Sequence, residues 1–95
     1  MHNTGHWIGL DVHDVGIYKP NGEPRLLEEG MCLTVEPGLY FGAWRPDVDC
    51  PERYANIGIR IEDDILVTSN GPDVLTKDCP KTISDLESII GKDFE

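Results

Sequence analysis

The stretch IGIRIEDDILVT, residues 57 to 68, constrains the fold more than any other part of this chain. Ile57, Ile59, Ile61, Ile65 and Val67 fall on one side of an extended backbone, and Arg60, Glu62 and Asp64 fall on the other. A period of two belongs to a strand and not to a helix. Asp63 lands in the aliphatic row and breaks its parity, which predicts a bulge or a special environment there. MCLTVEPGLYF, residues 31 to 41, repeats the pattern: Met31, Leu33 and Val35 alternate with Cys32, Thr34 and Glu36 until Pro37-Gly38 interrupts. Glu36 therefore ends a strand, on the face opposite the aliphatics.

The remaining segments follow from local signals. Residues 17 to 30 carry Pro20-Asn21-Gly22 and Pro24 and read as a surface loop with a turn, and residues 42 to 56 as a long polar excursion. Ser69-Asn70-Gly71 predicts a hairpin turn, returning the chain as a short strand around DVLT. Thr82 or Ser84 can cap a helix whose Ile83, Leu86, Ile89 and Ile90 form one stripe, ended by Gly91. The class expected is α+β, mainly antiparallel strands with a C-terminal helix.

Ninety-five residues make at most one small domain with a modest core. With 18 acidic and 8 basic residues, the net charge of −10 argues against nucleic acid and anionic membranes as partners and suits a cation. No apolar run approaches the roughly 20 residues of a membrane span, and MHNTGH lacks the features of a signal peptide, so the expected compartment is the cytoplasm. Cys32, Cys50 and Cys79 have no C-x-x-C spacing and predict neither a disulfide framework nor a thiolate zinc site.

HNTGHWIGLDVHDVG, residues 2 to 16, holds all three histidines, His2, His6 and His13. On a helix they would fall within about 40° of one another. Gly5, Gly9 and Gly16 oppose a helix, and Trp7, Ile8, Val12 and Val15 favour extended chain, so a loop leading into an irregular strand is expected. Imidazole with carboxylates and without thiolate suits manganese, iron, cobalt or zinc. The plainer readings stand beside this one. A glutamate at a strand end is usually solvated, and Arg60 with Glu62 forms a weak exposed pair worth ~0 to 1 kcal/mol. Trp7 is more often core than a stacking surface.

HNTGHWIGLDVHDVG, LTVEPGLYF and NIGIRIEDDILVT, in this order and at this spacing, resemble the last three motif blocks of the Xaa-Pro aminopeptidase and prolidase family of metallopeptidases. HW-x-GLDVHDVG and PERYANIGIRIEDD are most similar to the bacterial-type aminopeptidase P branch. The resemblance implies the pita-bread fold, of which residues 1 to 95 would be the C-terminal part, an incomplete catalytic domain. It implies an enzyme that cuts peptides with proline in the second position. Two divalent ions would be its cofactors, with manganese expected and cobalt, iron or zinc as alternatives.

The same resemblance assigns roles. His6 matches the histidine ligand of one ion, Glu36 a carboxylate ligand of that ion, and Glu62 the glutamate bridging both. His2 and His13 match histidines that line the substrate pocket, His13 being placed to stabilise the tetrahedral intermediate. Arg60 matches an arginine beside the bridging carboxylates. Paired ions roughly 3.5 to 4 Å apart acidify a bridging water and polarise the carbonyl it attacks. Glu36 would in addition carry the water's proton to the leaving nitrogen.

The family's two aspartate ligands lie upstream of the first histidine block. The expectation is therefore a fragment that binds metal weakly and hydrolyses little, with uncovered sheet edges that favour a homo-oligomer. Prolidase, limited to dipeptides, and a non-catalytic peptide- or protein-binding module of the same fold are the alternatives.

Overall fold

A computed structural model of the chain describes residues 3 to 42 and 45 to 93. Both alternating stretches form strands, and each is split in two. Residues 31 to 41 give β1 (Cys32–Val35) and β2 (Gly38–Phe41), and residues 57 to 68 give β3 (Ile57–Arg60) and β4 (Asp63–Thr68). β1 pairs antiparallel with β4, and β2 with β3. Val35 lies opposite Asp63 and Gly38 opposite Arg60. Glu36 and Pro37 thus fall opposite Glu62 and Ile61, with no residue gained or lost.

The two pairs are one antiparallel ribbon in continuous register, interrupted where a proline without an N–H breaks the ladder. The Ile61 N–H still donates to the Pro37 carbonyl at 3.2 Å. The bulge expected at Asp63 is absent; its parity is that of the aliphatic row, and its environment is the special feature.

Strand β5 (Gly71–Val74) returns antiparallel to β4 after Ser69-Asn70, slightly earlier than the DVLT segment expected. Gly71 sits at φ 106°, a left-handed conformation that glycine adopts without strain. The sheets have the orders β1-β4-β5 and β2-β3. Helix α1 (Ile83–Ile89) is capped by Thr82, whose side chain accepts from the Asp85 N–H at 3.2 Å.

The histidine segment lies along the free edge of β1. Glu36 donates its N–H to Thr4 (2.8 Å), Thr34 to His6 (2.9 Å), and Ile8 to Cys32 (3.0 Å). Only Trp7 and Leu33 form a formal bridge, so this is an irregular strand. The loop follows it, the reverse of the expected order. A side chain at Gly5 would run into the Thr34 carbonyl, which explains a glycine where the two backbones approach.

No hydrophobic side chain is buried among the described residues. The buried ones are polar: Thr34, 3% exposed, and Glu36, 7%. The Cα radius of gyration, 17.3 Å, exceeds the roughly 12 Å of a compact domain this long. The sheets are a single layer, and Leu27, Leu33, Val35, Ile65, Val67 and Pro72 line an open apolar groove. Cys32, Cys50 and Cys79 are free thiols.

Candidate metal centre

The register of the ribbon places two carboxylates side by side. Residues directly opposite on an antiparallel pair share a face, so the row Thr34, Glu36 of one strand meets Glu62, Asp64 of the other. The irregular edge strand then adds an imidazole: His6 Nε2 lies 3.4 Å from Glu36 Oε2. Ligand atoms of His6, Glu36 and Glu62 all lie within 4.8 Å of one another. His6 is half-buried, Glu36 buried and Glu62 exposed.

His6 Nδ1 is 3.1 Å from the Trp7 carbonyl oxygen. A carbonyl only accepts, so Nδ1 carries the hydrogen and Nε2 is the ring nitrogen turned toward Glu36. Thr34, unassigned by the sequence reading, ties the two ligand segments together. Its hydroxyl accepts from the His6 N–H at 3.0 Å and hydrogen-bonds the Glu36 carboxylate. The signal for it was present in the polar row Cys32, Thr34, Glu36. The solvated glutamate of the plainer reading is not what the structure has.

Burial pushes the Glu36 carboxyl up, but the Thr34 hydroxyl, His6, Arg60 and Glu62 outweigh it and hold Glu36 below the usual range. Glu62 is within hydrogen-bonding reach of Glu36, and two carboxyl groups this close call for a proton or a cation between them. Arg60 supplies positive charge nearby, and its Nε donates to the Tyr40 hydroxyl at 2.8 Å. Tyr40 is a second residue the sequence reading did not single out.

His13 is brought back over His6 by the loop that follows the edge strand. Gly9 donates its N–H to Asp11 and Asp14 to Trp7, both at 3.1 Å, closing the loop on itself. The rings of His13 and His6 meet edge to face at 4.3 Å. Trp7 stacks on Tyr18, centroids 5.2 Å apart, rather than entering a core. His2 lies outside the described residues. His6, His13, Glu36, Arg60 and Glu62 therefore gather at one place, from segments far apart in the chain.

The donor set is chemically coherent for a divalent cation. One imidazole and two carboxylates match the preferences of manganese, iron, cobalt and zinc, and no thiolate is involved.

Residues 1 to 69 match metallopeptidase family M24. An Xaa-Pro aminopeptidase of Haemophilus influenzae is 51% identical over 90 residues, 95% of this chain and 20% of the relative. The aminopeptidase PepP of Pseudomonas aeruginosa superposes with a TM-score of 0.81 at 49% identity, over 92% of this chain and 19% of that one. Aminopeptidase P of Escherichia coli with the inhibitor Pro-Leu gives 0.78 at 52%, over 93% and 19%. The chain thus spans about a fifth of the length of the relatives it matches.

Proposed function

The chain belongs to metallopeptidase family M24 and has the α+β pita-bread fold of the aminopeptidase P structures; from this premise we propose that it is the C-terminal portion of the catalytic domain of an Xaa-Pro aminopeptidase. The observation that carries the proposal is the convergence of His6, Glu36 and Glu62 within 4.8 Å. The Pro-Leu inhibitor of the Escherichia coli relative supports peptides with proline in the second position as substrates.

His6 and Glu36 would hold one ion and Glu62 would bridge to a second, manganese first among the candidates. Two aspartates from outside these 95 residues would complete the set. Bound divalent ions supply a Lewis acid and an acidified water. Glu36, held below the usual carboxylate range, would take the proton that the attacking water gives up and deliver it to the proline nitrogen, which must gain one to leave as an amine as the peptide C–N bond breaks. His13 donates a hydrogen bond to the developing oxyanion, and His2 is expected to contribute to peptide binding. Arg60 keeps positive charge against Glu36 and Glu62.

No helix among the described residues is long and apolar enough to cross a membrane, and the cytoplasm is the compartment we assign.

Titration with Mn(II) and Co(II), together with cleavage of an Xaa-Pro-Yaa tripeptide and an Xaa-Pro dipeptide, tests the proposal. The full-length polypeptide is expected to bind two ions and cut the tripeptide. These 95 residues alone are expected to bind weakly at one site and turn over little. Cleavage confined to the dipeptide indicates prolidase, and full-length protein without metal binding indicates a binding module. Tight two-ion binding with turnover by the 95 residues alone refutes the fragment assignment.

A further inference from the structure

Asp63 faces away from the carboxylate cluster. Its register partner is Val35, and Ile65 beside it pairs with Leu33, so it heads the row on the apolar side of the sheet. Glu62, one residue earlier, points to the other side by simple alternation. A carboxylate among aliphatics is costly without partners, and Asp63 has two. Lys81 Nζ lies 2.9 Å from its Oδ1, and the Thr76 hydroxyl donates to the same oxygen at 2.6 Å.

The lysine is not a loose surface cation. An ammonium offers three N–H groups. Beyond Asp63, Lys81 Nζ donates to the Thr76 carbonyl at 3.0 Å and the Cys79 carbonyl at 2.9 Å, so each N–H has an acceptor. Its side chain is 24% exposed and that of Asp63 26%. The Thr76 hydroxyl also accepts from the Asp64 N–H at 3.1 Å, closing the network onto the backbone of β4. The turn that holds it is itself fixed, Cys79 donating its N–H to Thr76 at 2.9 Å.

Glu62 sits in the break between β3 and β4, outside both strands. Its direction depends on how the next residue is held, because consecutive Cα atoms are separated by one rigid peptide unit. We propose that Lys81, Thr76 and Asp63 are positioning residues, a rear anchor that aims Glu62 at His6 and Glu36 from the opposite face of the sheet. This inference rests on the metal-centre reading above.

The test uses Co(II) titration of the full-length protein, followed by visible absorption, which reports the coordination of the ion. Lys81→Met and Thr76→Val are each expected to weaken Co(II) binding by about 10- to 100-fold, the usual effect of losing a group that orients a ligand, and to change the spectrum. Lys81→Arg is expected to recover part of the affinity. Leu86→Ala, on α1 but outside the network, should lower the melting temperature and leave affinity and spectrum unchanged. Folded Lys81→Met and Thr76→Val proteins with unaltered affinity and spectrum overturn the anchor. If Lys81→Met does not fold, Thr76→Val decides alone. An unsubstituted protein that binds no Co(II) sinks the metal reading and the anchor with it, whereas tight binding unaffected by the substitutions rejects only the anchor.

Discussion

Glu36 and Glu62 face each other at the break of a single antiparallel ribbon, in the same register that pairs Val35 with Asp63 and Gly38 with Arg60. Their closeness is a property of backbone pairing and not of flexible side chains. The imidazole of His6 reaches them because its segment is laced to the free edge of β1.

Thr34→Val keeps every proposed ligand and the β-branched shape while removing the hydroxyl that links His6 to Glu36. Mn(II) affinity of the full-length protein is expected to fall by about 10- to 100-fold. Calorimetry reads this directly, and an unchanged affinity would show that the ladder alone aligns the two segments.

Gly5→Ala introduces a carbon where the Thr34 carbonyl already stands. The clash is with backbone and cannot be relieved by a rotamer. A destabilisation of about 1–3 kcal/mol is expected from overpacking, with loss of metal affinity as His6 is pushed from β1. Denaturant unfolding and metal titration of the same variant measure the two effects.

His13→Ala removes the ring that stands against His6. If it donates to the oxyanion, kcat falls by about 100-fold or more, while the number of ions bound stays the same. A KM increase with kcat preserved would assign it to substrate binding instead.

Asp63 gives an acid-side signature. The Thr76 hydroxyl and then Lys81 lower its pKa from the ordinary 3.8, outweighing burial. A carboxyl depressed in the folded state contributes stability that is complete above its unfolded pKa and is lost as pH falls through the lower folded value. Unfolding midpoints should therefore drop on acidification below pH 3.8, and Asp63→Asn, which has no proton to gain there, should show a shallower drop.

Local pattern carried the candidate centre a long way. The alternation through Thr34 and Glu36 and through Arg60, Glu62 and Asp64 placed these groups on common faces, and Thr82 capped the helix as the capping rule requires. The break at Ile61 and Glu62 was not legible within residues 57 to 68, because its cause, Pro37, lies on the partner strand. Nor was the burial of Glu36, which depends on Thr34 and on His6 contributed from a distant segment. Lys81 and Thr76 gave no local sign of meeting Asp63. The aliphatic rows were read correctly as faces, but a row shows only that a face wants covering: Ile57 and Ile59 remain 51% and 58% exposed.

The in-phase break at Pro37 limits how this stretch is able to diverge. Adding or dropping one residue between Thr34 and Leu39, or between Ile59 and Asp64, would send one glutamate to the far side of the sheet. Length there is as constrained as the identities of Glu36 and Glu62 themselves. Insertions between β2 and β3 are expected to leave the geometry of the two carboxylates unchanged, because that connection does not include the break.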